Sequence, residues 1–169
     1  MTHPVLVITG PVGVGKSTVL AECNVLLVEV GARQASLELE DIARYWPPDG
    51  ADKSELIVRN LAALWTNYSA AGADRLIVSM LLEDRKGLAP IYVAIPGAEV
   101  TIIQLEAPLD LLEWRVRRRE LTQPEAEVSG ARWWFERLRG ATFADHRVEN
   151  AKRPPREVAA DVLRLAGWL

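Results

Sequence analysis

Gly10-Pro11-Val12-Gly13-Val14-Gly15-Lys16-Ser17 constrains this chain more than any other segment. It has the spacing G-x-x-x-x-G-K-[ST]. It follows a short unbroken apolar run, Val5-Leu6-Val7-Ile8-Thr9, and opens a helical pattern from Ser17 to about Val30, stopped by Gly31. A β-branched apolar run of that length reads as a strand buried on both faces. Glycines at these places let the backbone curl so that successive N–H groups point inward at phosphate oxygens. The helix N-terminus adds unpaired donors and the positive end of its dipole. Gly10, Pro11, Val12, Gly13, Val14, Gly15, Lys16, Ser17 and Thr18 are therefore the expected contacts of a nucleoside triphosphate. Lys16 supplies a mobile cation to the β- and γ-phosphates, and the Ser17 hydroxyl is the expected Mg²⁺ ligand. The dinucleotide pattern G-x-G-x-x-G fails, because Thr18 stands where its last glycine is needed.

The remaining elements fit that start. Ala35–Leu39, Arg75–Met80, Val100–Leu105 and His146–Glu149 read as strands. Lys53 to about Ala71 carries Leu56, Ile57, Leu61, Leu64, Trp65 and Tyr68 at helical spacing. Pro108 suits the first position of a helix running to about Glu120, and further helices are expected over about Gly130–Leu138 and Pro155–Ala166. Asp41 is a candidate cap for a short helix that breaks at Trp46-Pro47-Pro48-Asp49-Gly50. Strands alternating with helices predict a three-layer α/β/α sandwich around a parallel sheet. With 169 residues and no repeat or linker, one domain over 1–169 is expected.

Composition narrows the classes. A net charge of −3 excludes a broadly basic nucleic-acid binder. A single cysteine, Cys23, excludes an internal disulfide and a cysteine-based zinc cage. No run approaches the roughly 20 apolar residues of a membrane span. No basic leader precedes the first strand, so a cytoplasmic protein is expected and the sequon Asn67-Tyr68-Ser69 reads as chance. Neither His3 nor His146 has a ligand-like partner pattern. Oligomeric state is open between monomer and homodimer, the six tryptophans leaving room for an aromatic interface.

A short chain with this loop, no N-K-x-D guanine motif and arginines late in the sequence resembles the small-molecule kinase branch of P-loop proteins. That branch includes gluconate, shikimate, adenylyl-sulfate and chloramphenicol kinases and the nucleoside monophosphate kinases. The resemblance implies ATP as donor and a small helical lid at about 115–135. It also implies an acid at the end of the second strand. Leu37-Glu38-Leu39-Glu40-Asp41 occupies that place, with Glu38 and Glu40 on one side of the alternation. A carboxylate there orients Mg²⁺ through water or takes the acceptor's proton, unless the strand end simply emerges into solvent.

By the same resemblance, Leu111–Arg119 leads into the lid. Arg115 and Arg119, at i and i+4, share a face that would meet the triphosphate, a solvated basic face being the alternative. Arg153, before Pro154, would stack on the adenine. Arg44, Arg59, Asn60 and Arg132 are candidate acceptor contacts, and Arg137 a further phosphate or acceptor contact. The third strand departs from the pattern common in phosphate-loop enzymes. It ends in Ser79-Met80 without an acid, Glu83 and Asp84 following a few residues later.

The expected function is transfer of the γ-phosphoryl of Mg-ATP to a small-molecule hydroxyl or phosphate. A nucleotide-binding regulator with little or no turnover is the alternative, favoured by the missing third-strand acid. An NTPase acting on nucleic acid would need binding that falls steeply with salt.

Overall fold

The computed structural model describes residues 2–45, 53–119 and 124–169. Five strands, β1 (His3–Thr9), β2 (Gln34–Glu38), β3 (Arg75–Ser79), β4 (Ala98–Glu106) and β5 (His146–Glu149), form one sheet in the order β2-β3-β1-β4-β5. Every pairing is parallel; in the centre, Val7 lies between Val78 of β3 and Ile102 of β4. Helices α1 (Lys16–Glu29) and α6 (Pro155–Leu165) cover one face, against Leu6, Ile8, Ile77, Ile103 and Leu105. Helices α2 (Lys53–Ala70) and α3 (Ala89–Ala94) cover the other, against Val5, Val7, Leu76, Val78 and Ile102. Period-2 side chains of each central strand thus enter two cores, which is why β1 and β3 read as continuous apolar runs. The architecture is the expected α/β/α sandwich.

Above the sheet's C-terminal edge, α4 (Leu109–Arg117) and α5 (Pro124–Leu138) form a helical pair. Val116 of α4 and Val128 and Ala131 of α5 bury a small third core with Val12 of the glycine-rich loop. The expected lid at 115–135 falls on the end of α4 and most of α5. Its residues 120–123, the proposed end of a helix at Glu120 and the proposed break at Trp46–Gly50 lie outside the described residues.

Several local expectations are corrected. Pro108 is the cap of α4 rather than its first helical residue, its ψ of 146° being extended. Helix α5 begins at Pro124, six residues before Gly130; Pro124 opens it and Glu125 and Glu127 complement its dipole, so Gly130 is interior. Asp41 does not cap a helix. It is the first residue inside a 3₁₀ turn, Asp41–Ala43, and pairs with Arg44 at 2.7 Å. The sequence reading also lacked α3 and the 3₁₀ turn before it, Arg85–Leu88. The turn is capped by the Asp84 carboxylate, which accepts from Lys86 N at 2.7 Å. Six helical residues are too few for a periodic signal, and α3 exists because Leu88, Ile91 and Ala94 bury against the sheet.

Candidate functional site

The glycine-rich loop is built onto the carboxyl end of the sheet, between β1 and α1. Gly10, at φ 141°, lies so close to β4 that a Cβ would stand 2.5 Å from the Leu105 carbonyl oxygen. Gly15 caps α1 at φ 98°, a left-handed conformation that turns the chain into the helix. The first turn of α1 itself carries no acidic residue; the carboxylates that act on it, Glu38 and Glu40, come from outside the helix. Lys16 folds back along the loop, its Nζ donating to the carbonyls of Gly10 at 2.9 Å and Pro11 at 3.3 Å. Burial holds this amine down to about 8; Glu40 pulls it up, Arg119 pushes it down and Glu38 pulls it up again. Thr18 is exposed on the first turn of α1, and Val14 is fully buried beneath the loop.

Both second-strand carboxylates face this lysine, and each has a different partner. Ser17 Oγ donates to Glu38 Oε2 at 3.0 Å. Glu40, just past the strand, accepts from the Leu81 amide at 2.8 Å. The backbone continues this stitching, since Leu39 N donates to the Ser79 carbonyl at 2.9 Å and Leu82 N to Thr9 Oγ1 at 3.1 Å. Ser79, paired in register with Glu38, has a buried hydroxyl without a hydrogen-bond partner among the described residues. Ser17, Glu38 and Ser79 are hard oxygen donors, the type Mg²⁺ takes directly or through water.

The arginines of the lid-like segment divide into two roles. Arg115 does not extend over the loop. Its Nη1 donates to the Val14 carbonyl at 3.1 Å and its Nη2 to the Asn150 carbonyl at 3.0 Å, and burial lowers its pKa below the usual arginine range. Arg119, one turn on, is exposed, and its charge reaches Lys16. Helix α4 ends at Arg117, so Arg119 lies past it; Arg115 touches the loop directly and Arg119 reaches it as a charge on Lys16. Of the others, Arg118 lies 4.8 Å over the Trp114 ring, and Arg117 pairs with Glu125.

Asn150 is the residue that sequence reasoning missed. It is buried at the end of β5, its Nδ2 donates to the Val14 carbonyl at 2.6 Å, and its amide donates to the Glu106 carbonyl at 2.7 Å. A single asparagine has no periodicity or spacing that marks it, and its partners are 136 and 44 residues away in sequence, so only the fold identifies it.

The remaining candidates are held by nearby groups. Arg153 pairs with Asp161 of α6 at 2.6 Å, and Arg132 with Glu113 of α4. Arg44 pairs with Asp41, Asn60 Nδ2 donates to the Ile42 carbonyl, and Arg59 is exposed on α2. Arg137 pairs with Glu83, linking α5 to the segment after β3. His3 packs edge-on to Trp65 at 5.2 Å between ring centroids. No described helix is long and apolar enough to cross a membrane.

No protein-family model matches the chain, and no curated protein matches it in sequence. Solved structures do match over nearly its whole length. The tunicamycin resistance protein of Deinococcus radiodurans superposes with a TM-score of 0.67 at 23% identity, covering 99% of this chain and 97% of that one. A gluconokinase from Sinorhizobium meliloti 1021 gives 0.61 at 19% identity, covering 97% and 91%. The APS kinase of Mycobacterium tuberculosis, solved with AMPPNP and APS, gives 0.60 at 19% identity, covering 98% of each. The fold is that of the P-loop small-molecule kinases.

Proposed function

We propose that the chain is an ATP-dependent phosphotransferase acting on a small-molecule hydroxyl or phosphate. The observation that carries this reading is the convergence of Lys16, Glu38 and Glu40 in one electrostatic field at the mouth of the glycine-rich loop. A cradle for phosphate alone needs the cation and the amides. Two carboxylates facing them repel a phosphate and are useful only for a metal or a proton.

The loop amides and Lys16 hold the β- and γ-phosphates, Lys16 leaving its carbonyl partners to do so. Ser17 and Glu38 are the residues that would hold Mg²⁺, directly or through water, with the Ser79 hydroxyl on the neighbouring strand position; the ion would supply positive charge to the phosphate oxygens. Glu38 is already engaged with Ser17, so Glu40, whose second oxygen makes no hydrogen bond among the described residues, orients the acceptor and takes its proton. The acceptor oxygen forms a bond to the γ-phosphorus as the bond to the bridging oxygen of ADP breaks. Arg119 supplies the charge that offsets the negative oxygens during transfer, a contribution of about 10³–10⁵ in rate in phosphoryl-transfer enzymes. Arg115 is a positioning residue that holds the loop. Arg153 and Arg132 reach base or acceptor only by leaving Asp161 and Glu113.

The test is ADP formation from Mg-ATP across pooled sugars, sugar acids, nucleosides, nucleoside monophosphates and phenicol- or aminoglycoside-like antibiotics. One pool should stimulate turnover, and Lys16→Ala should lower it by at least about 10²-fold. The end of β3 in Ser79 rather than an acid favours a second reading, a nucleotide-binding regulator. Tight ATP binding with no stimulation by any pool supports that reading and overturns the kinase.

A further inference from the structure

Strand β3 lies between β2 and β1, so its successive backbone amides point alternately toward one neighbour and the other. The alternation continues past the strand's last residue, Ser79. Met80 N donates to the Ile8 carbonyl of β1 at 3.1 Å, Leu81 N to Glu40 Oε1 on the β2 side at 2.8 Å, and Leu82 N to Thr9 Oγ1 of β1 at 3.1 Å. Only the first of these acceptors is backbone. Strand β2 ends at Glu38 and β1 at Thr9, and side chains at the two strand ends receive the next two amides in place of strand carbonyls.

The contact to Thr9 is the more deeply set. Thr9 is fully buried, and Leu82 is buried in the same core as Leu88 and Ile91. Gly87 leaves space for it, since a Cβ there would stand 2.6 Å from Leu82 Cδ1. A valine would fill the end of β1 as well as threonine does, both being β-branched. What the hydroxyl adds is an acceptor for a buried amide, which is costly to leave unpaired. The same segment is also tied outward, through Glu83 to Arg137 and through Arg85 to Asp145, but those ion pairs are solvated and hold less firmly. With Met80 and Leu82 both bonded to β1, the Leu81 amide between them is fixed, and its partner is Glu40. Glu40 is thereby held to β1 through two adjacent amides, although it belongs to the turn that follows β2.

We propose that Thr9 is a positioning residue that sets Glu40 relative to the glycine-rich loop, acting through the amides of Leu82 and Leu81. Its effect on turnover rests on the phosphotransferase reading, whereas its hold on Glu40 does not. Thr9 directly precedes Gly10, so the residue that ends β1 and leads into the loop also fixes the carboxylate facing that loop. The Leu81 amide holds one oxygen of Glu40 and leaves the other for the acceptor. The reach of such a group matters, because a misplacement of about 1 Å costs up to about 10²-fold in rate. Glu38 has a different anchor, Ser17 of α1, so loss of the Thr9 hydroxyl reaches one carboxylate and spares the other.

The test combines amide hydrogen exchange, followed by NMR, with kinetics on the full chain. Thr9→Val and Thr9→Ala remove the hydroxyl with and without its bulk, and Thr9→Ser retains it. Both removals should speed exchange at Leu82 and Leu81 together by at least about tenfold, with Thr9→Ser close to the wild type. Glu40→Ala should speed exchange at Leu81 and leave Leu82 protected. In ADP formation with the pool that stimulates it, Thr9→Val should lower kcat by about tenfold and leave the KM for ATP within about twofold, and Thr9→Ser should restore the rate. In a Glu40→Ala background the same substitution should cost nothing further, because Thr9 then has no carboxylate to position. Faster exchange at Leu82 alone overturns the proposal, as does a rise in the KM for ATP that accounts for the whole loss, or an undiminished cost in Glu40→Ala. If no pool stimulates turnover, the kinase reading falls and the Leu81 amide decides: protection retained in Thr9→Val and Thr9→Ala overturns the role of Thr9, and protection lost upholds it.

Discussion

Arg115 and Asn150 converge on one acceptor, the carbonyl of Val14, at 3.1 and 2.6 Å, and Arg115 also donates to the Asn150 carbonyl at 3.0 Å. Three chain segments meet in that triangle: the glycine-rich loop, the end of α4, and the turn after β5. The contact fixes the peptide between Val14 and Gly15, and the Val14 amide closes a turn onto the Pro11 carbonyl at 3.2 Å. The same contact explains Gly15, since a Cβ there would stand 2.7 Å from Asn150 Nδ2. The loop is held at Val14 by two side chains from remote segments, Arg115 and Asn150.

Asn150→Ala removes a buried hydrogen bond and leaves a gap against the loop. It should lower stability by about 1–3 kcal/mol and weaken ATP binding together. Arg115→Lys keeps the charge but cannot span two carbonyls, so it should weaken nucleotide binding without abolishing it. Denaturant melts and nucleotide titrations of both variants check this. Unchanged ATP affinity in Asn150→Ala would mean that the loop holds its shape alone.

Lys16 gives a pH signature. In the free protein its amine is held down to about 8, and a bound triphosphate favours the charged form, so nucleotide binding at pH 8 should take up about half a proton. At pH 6 the amine is already charged and uptake should vanish. Calorimetry in two buffers of different ionisation enthalpy measures this, and Lys16→Met should remove it. The sign for folding follows from the same depression. Between about 8 and 10.5 the unfolded chain holds the proton and the native chain does not, so this group's contribution makes stability rise with pH across that window.

The carboxylates should separate by metal dependence. Glu38→Gln, which weakens the partner of Ser17, should raise the Mg²⁺ concentration needed for half-maximal nucleotide binding by about tenfold. Glu40→Gln should leave that requirement unchanged and reduce turnover by about 10²–10⁴-fold. Metal titrations followed by nucleotide fluorescence and steady-state rates distinguish them. The reverse pattern would exchange the two roles.

Cys23 is fully buried between α1 and α6, and burial pushes its thiol up to about 12. With almost no thiolate at pH 8, it should resist a disulfide-exchange reagent in the native protein and react promptly in denaturant. Labelling in native buffer at the denatured rate would show that the α1–α6 contact opens freely.

Sequence by itself determined the glycine-rich loop, the strand before it and the helix after it, because those depend on local backbone geometry and on side chains at fixed spacing. It also brought Glu38 and Glu40 together at the end of β2, but the strand stops at Glu38 and Glu40 has helical backbone angles, so tertiary packing rather than alternation turns both toward Lys16. The short helix at Ala89–Ala94 was not legible, since six residues show no period and burial by a distant sheet stabilises them. Tertiary structure alone decided that Arg115 holds the Val14 carbonyl, and that the helix stops at Arg117 and leaves Arg119 beyond it and exposed. It alone brought Asn150 beneath a loop 136 residues away and left Gln104 Oε1 without a donor among the described residues. Hydrogen bonds between remote segments depend on where the sheet order places β4 and β5 beside β1, and no local pattern of residue types encodes that order.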